Sequence, residues 1–141
     1  MTADVLAFLE GDPGRVTLFE AVEKVIAALG PSEYRVSKSQ IAWKNPLNFA
    51  FVSLPQRWYP RWSESALLLT FGLARRVEGD EIFRAVEPYP GRWTHHVMLN
   101  RPEDLDGAVR AWLAEAYDFS QAKRRKKKGT SRPLPPSKEG D

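Results

Sequence analysis

Leu67-Leu68-Leu69-Thr70-Phe71-Gly72-Leu73 (LLLTFGL, residues 67–73) is apolar at nearly every position, on both faces that an extended chain presents. A strand of that kind belongs in the middle of a sheet, covered on each side. The sequence around it supplies neighbours. Upstream, Asn48 to Leu54 (NFAFVSL) is strand-like, Tyr34 to Ser39 alternates, and Gln40 to Lys44 continues with Ile41 and Trp43 on one face. Asn45-Pro46 interrupts that run. Downstream, Arg92 to Leu99 (RWTHHVML) alternates as a last strand. Pro55 to Ser65 is a Trp- and Pro-rich connection. Residues 74–91 read as another connection, with one helical turn at Glu81 to Ala85 behind an Asp80 cap and a stiff end at Pro88-Tyr89-Pro90-Gly91.

Helical patterns flank this stretch. Thr2 caps a short helix through Val5, Leu6, Phe8 and Leu9 that stops at Gly11-Asp12-Pro13. Thr17 and Glu20 form a capping-box pattern ahead of Phe19, Val22, Ile26 and Leu29, whose spacing of three and four gives one buried stripe. Gly30-Pro31 ends that helix. After the last strand, Asn100 with Glu103 again suggests a capping box, with Pro102 in the first turn. Leu105, Val109, Trp112, Leu113, Ala116 and Tyr117 then make an apolar face. Helices, then strands, then a helix, with connections other than 74–91 too short for parallel crossovers, predict an α+β two-layer sandwich. Its antiparallel sheet of four to five strands packs against the N- and C-terminal helices within a single domain, residues 1–120.

Charge is divided unevenly. The 141 residues carry 21 Lys and Arg against 18 Asp and Glu, yet residues 121–141 hold eight of the former and two of the latter. That segment also contains Pro133, Pro135, Pro136 and a single Leu. With so little apolar area to offset its ordering entropy, it is expected to be a disordered basic tail.

Composition removes several function classes. The chain has no Cys, so disulfides, thiolate zinc sites and cysteine nucleophiles are out. No GxxxxGK[ST], GxGxxG, GxSxG or HExxH pattern occurs, and no cofactor is implied. The longest apolar run, Ala66 to Ala74, is far shorter than the roughly 20 residues of a membrane helix. No secretory signal is visible, and a soluble cytoplasmic protein, more readily a binding domain than an enzyme, is the expectation.

Three groups of residues are candidates for function. Lys123, Arg124, Arg125, Lys126, Lys127 and Lys128 are six successive cations, which attract nucleic acid or another polyanion without sequence preference; the duller alternative is a solubilising tail. Arg57, Trp58, Arg61 and Trp62 set guanidinium groups among aromatic rings, a combination that stacks bases and contacts phosphates. The competing reading is a hydrophobic flap over the sheet, or a sticky patch of a protein-interaction module. Finally, if Ile41, Trp43, Trp93, His95 and Val97 face the helices, then Gln40, Lys44, Thr70, Arg92, Thr94 and His96 share the opposite face. Together with Lys38, the residues Lys44, Arg92, Thr94 and His96 would suit a small anionic ligand or an unrecognised active site. Adjacent on one strand, His95 and His96 point to opposite faces and cannot chelate one metal, and His95 reads as a hydrogen-bonded core residue.

Particular segments also carry a family resemblance: Lys38-Ser39-Gln40-Ile41-Ala42, Asn48 to Leu54, Leu67 to Leu73, Arg92-Trp93-Thr94-His95-His96, and Glu103-Asp104-Leu105 through Tyr117. The sequence resembles a bacterial family of unknown function, DUF5655, over residues 17–118. The resemblance implies a small α+β domain. Some relatives carry a transport-protein label, which for this chain would imply an accessory role. It brings no catalytic residues, and it directs attention to Lys38 and the Arg92–His96 segment.

Overall fold

A computed structural model describes residues 1–55 and 63–130. Two helices, α1 (Ala3–Phe8) and α2 (Pro13–Ala27), precede six strands: β1 (Glu33–Val36), β2 (Ile41–Lys44), β3 (Asn48–Ser53), β4 (Leu67–Leu73), β5 (Ile82–Tyr89) and β6 (Arg92–Leu99). A 3-10 turn at Pro102–Asp104 leads into α3 (Gly107–Thr130). The strands form one sheet in the order β1-β2-β3-β4-β6-β5, with every neighbouring pair antiparallel. The α+β two-layer reading holds, and β4 sits between β3 and β6, inside the sheet as its composition demands.

The sheet has six strands rather than four or five. The added strand is β5, where the sequence suggested a connection with a helical turn. Ile82, Ala85 and Val86 pair with β6 across a hairpin whose tip, Pro90-Gly91, places Gly91 at φ +85°. At the edge of the sheet β5 is open to water, so Arg84, Glu87 and Pro88 dilute its alternation. Pro88 falls within a register shift between Val86 and Tyr89, where no ladder N–H is required.

Helix starts also differ from the capping-box readings. Asp12, not Thr17, caps α2: its Oδ1 accepts from the Arg15 N–H at 3.0 Å, and Pro13 occupies the first helical position. Thr17 lies inside the helix and donates to the Pro13 carbonyl. At the other end, Asp104 Oδ2 accepts from the Asn100 and Arg101 backbone, closing the 3-10 turn. The α-helix proper begins after Asp106, whose Oδ1 accepts from Val109 N at 3.0 Å. That helix then runs to Thr130, past the residue-121 boundary expected for the tail. Gln, Ala, Lys and Arg are all good helix formers and no proline interrupts them before Pro133. Residues 131–141 lie outside the described residues.

One face of the sheet meets the helices. Ile41, Trp43, Ala50, Val52, Leu69, Phe71 and Val97 are buried there against Leu18, Phe19, Val22 and Ile26 of α2 and Val109, Leu113 and Ala116 of α3. His95 belongs to this core. Its Nε2 accepts from the Val77 N–H at 3.0 Å and its ring stacks on Phe71 with centroids 5.4 Å apart. The ring is therefore neutral with its proton on Nδ1. Among the described residues no helix packs on the other face, and that face positions the candidate site.

Candidate functional site

The four inner strands, β2, β3, β4 and β6, contain no Asp or Glu; the sheet's carboxylates are confined to Glu33 on β1 and Glu87 on β5. Strand register aligns one row across all six strands on the helix-free face: Arg35, Ala42, Phe51, Thr70, His96 and Arg84. Five interstrand steps make that row about 24 Å long. Both arginines are exposed, while Phe51, Thr70 and His96 are half-buried. Thr70 Oγ1 lies 2.9 Å from His96 Nδ1. Burial holds the His96 imidazole below its usual pKa, and the Arg84 charge adds to that effect. A neutral ring accepting from Thr70 at Nδ1 presents an N–H at Nε2.

A second concentration of positive charge lies where α3 passes the end of the sheet. Gln121 Nε2 donates to the Asn45 carbonyl at 2.7 Å, which fixes the helix against the β2–β3 turn. Two residues on, Lys123 Nζ donates to the Tyr89 phenol oxygen at 2.7 Å and sits 5.0 Å from the centroid of its ring. That hydrogen bond lowers the Tyr89 pKa, and Arg92, its register partner on β6, lowers it further. The guanidinium of Arg92 lies over Gly72 on the helix-free face. The Lys123–Tyr89–Arg92 contacts thus join the end of α3 to that face, and the six-cation run continues from Lys123 along helical backbone.

Comparison with known families matches residues 8–120 to a domain of unknown function, DUF5655. The chain belongs to the DUF5655 family. No curated protein and no solved structure matches it. The match begins at the end of α1 and extends to Ser120, a wider span than the motifs alone indicated.

Within this DUF5655 domain the residues singled out from the sequence do not form one cluster. Arg92, Thr94 and His96 share the helix-free face of β6, as alternation predicts, and Thr94 lies between Gly72 and Val86 in register. Lys44 is on β2, three interstrand steps or about 14 Å from β6. It lines a groove of about 360 Å³ with Gln40, Asn48 and the Arg35–Ala42 end of the row. Lys38 is in the turn between β1 and β2, at the end of the sheet opposite Arg92. Arg57, Trp58, Arg61 and Trp62 lie outside the described residues. Lys123 is anchored as above, and Arg124, Arg125, Lys126, Lys127 and Lys128 are on helical backbone.

The DUF5655 sheet is polarised along its strands. Opposite the Arg92–Lys123 end, Asp80, Glu81, Glu103, Asp104 and Asp106 surround a cavity of about 570 Å³. The carboxyl groups of Glu81 and Asp106 are close enough to perturb one another. The Val109 N–H holds Asp106 low. For Glu81 its own backbone N–H acts downward, but the neighbouring Asp106 carboxyl, burial and nearby charges outweigh it and raise the group. Among the described residues no group of three or more His, Asp or Glu is placed to hold a metal ion. Nor, among them, is any helix long and apolar enough to cross a membrane.

Sequence reasoning missed Arg35, Arg84, Phe51 and Tyr89. Tyr89 and Arg84 lie on β5, which the sequence presents as a connection. Arg35 lies on the outermost strand, and its place in the row depends on register.

Proposed function

We propose that this DUF5655 chain is a non-enzymatic, cytoplasmic binding domain for polyanions, nucleic acid foremost, with the basic end of α3 as its electrostatic element. The observation that supports this reading is the anchoring of Lys123 on Tyr89 beside Arg92. A solubilising appendage has no need of such a contact, whereas a binding element gains from leaving the domain in a fixed direction and next to another cation. Phosphate neutralisation by Lys and Arg releases condensed counterions and so produces a steep salt dependence. The acid-free inner strands extend the favourable potential from the helix over the sheet.

The test is fluorescence anisotropy of labelled single- and double-stranded oligonucleotides with the full chain, across salt. It compares the wild type with a variant combining Arg124→Gln, Arg125→Gln, Lys126→Gln, Lys127→Gln and Lys128→Gln. If all five cations meet phosphates on duplex DNA, the variant loses about 4.5 from the log–log salt slope. A wild type that binds no oligonucleotide, or a variant that binds as the wild type does, overturns the proposal.

A further inference from the structure

We infer that the helix-free face of the sheet is a platform for single-stranded nucleic acid, with Phe51 as a stacking surface and Arg35 and Arg84 as phosphate contacts at its two margins. This rests on the polyanion reading above and gives it a substrate class.

Three observations carry it. First, the interior of the face repels no anion: the four inner strands have no carboxylate, the one acid beside Arg35 on β1, Glu33, is paired in register with Lys44, and the cross-strand row ends in an exposed arginine on each side. A single phosphate or small dicarboxylate cannot span the roughly 24 Å between the outer strands of that row. An extended polyanion can. Second, Phe51 is turned away from the core between two small residues, Ala42 and Thr70, which leave lateral room for a flat ring. Among the described residues it has no aromatic partner, unlike Phe49 two positions earlier, which packs on Tyr117. Base stacking on such a ring is tolerant of sequence and contributes on the order of 1–3 kcal/mol per base. Third, the surface is a broad sheet face. The major groove of a duplex admits a helix or a two-stranded ribbon, and a six-stranded face fits neither, while splayed bases of a single strand lie readily on a sheet. Two strands from Phe51, across Thr70, His96 offers an imidazole edge held by Thr70, suited to a base or a phosphate oxygen.

The experiment measures binding of an unstructured single-stranded oligonucleotide and of its duplex to the full chain, by anisotropy across salt. The variants are Phe51→Leu, the double variant Arg35→Gln/Arg84→Gln, and the five-fold basic-run variant. Thermal melts verify that each remains folded; the two arginines are exposed, so the double variant keeps the test meaningful even if Phe51→Leu is destabilised. Expected results are a loss of about fivefold or more in single-strand affinity for Phe51→Leu, with duplex affinity unchanged. The arginine pair should reduce the single-strand salt slope by about 1.4. If the basic-run variant loses binding while both face variants bind a single strand like the wild type, the platform is wrong and the polyanion reading stands. Duplex binding as tight as single-strand binding, equally sensitive to the face variants, also overturns the platform. If the wild type binds neither oligonucleotide, both readings fall.

Discussion

The guanidinium of Arg92 lies across Gly72, so close that a Cβ at position 72 would stand 2.5 Å from Arg92 Cζ. The two residues sit on neighbouring strands, β6 and β4, on the helix-free face. A glycine within a central strand costs conformational entropy and contributes no side chain. Here its absence of a side chain makes room for the Arg92 guanidinium, beside Tyr89.

Gly72→Ala separates the two roles of that contact. The obstructing atoms are the far end of a flexible side chain, so Arg92 swings away, and the strand gains up to about 1 kcal/mol from the better residue. Stability should therefore change by less than about 1 kcal/mol in either direction, measured by urea unfolding, while single-strand affinity falls with the displaced cation. Unaltered affinity in a folded Gly72→Ala protein would remove Arg92 from the binding path.

Two N-terminal signals compete for α2, and the structure awards the start to Asp12. Its Oδ1 serves the Arg15 N–H and also accepts from the Ser65 hydroxyl at 2.8 Å, tying the helix to the chain just before β4. Asp12→Ala should cost about 0.5–2 kcal/mol, the range for loss of a cap. Thr17→Ala, at an exposed site within the helix, should stay within about 0.5 kcal/mol. Urea midpoints of the two variants decide it, and a larger loss at Thr17 would put the helix start in the wrong place.

Much of the fold was readable because its inner strands are chemically simple. They contain no acids, they alternate, and LLLTFGL is apolar on both faces. What the sequence concealed has local causes. β5 is an edge strand, so water rather than core dictates half of its residues, and Arg84 disappeared with it. Phe51 was hidden by a bulge: Trp43 pairs with Ala50 and Lys44 with Asn48, which leaves Phe49 as the extra residue. Phe49 and Phe51, two apart, would share a face on a regular strand. Here Phe49 is buried and Phe51 turns outward. For the open face, alternation correctly grouped Arg92, Thr94 and His96 and put Lys44 on the same side, but only register reveals that Lys44 stands three strands from them, that Lys38 is in a turn at the far end, and that Arg35 and Arg84 close the row.

The Lys123–Tyr89 bond is open to titration. The ammonium stabilises the phenolate, so Tyr89 should ionise at lower pH than an ordinary tyrosine, with Arg92 contributing. Following phenolate absorbance as pH rises, the wild type should show an early component that Lys123→Gln moves upward and Tyr89→Phe removes. If all the tyrosines titrate together in the wild type, α3 is not held against the hairpin as described.

Both histidines make stability depend on pH in the same sense. Burial lowers the pKa of His95; the charges of His96 and Arg76 act the same way, while the nearby Trp93 carbonyl and Glu115 act against it. His96 is lowered by burial and by Arg84. In each case the unfolded chain, with a pKa of about 6.5, binds a proton that the folded ring refuses. The unfolded state then holds more protons than the native state between the lowered pKa and about 6.5, so stability rises with pH through that window. It is fully present above it and is lost as pH falls toward the folded values. Protonation of His95 would also remove the acceptor for the Val77 N–H inside the core. Thermal melts at intervals between neutral and mildly acidic pH should therefore show falling Tm below about pH 6.5. His96→Asn should remove part of that slope, and His95→Asn another part at a lower starting stability. A Tm that holds constant or climbs on acidification through this range would contradict the burial of both rings.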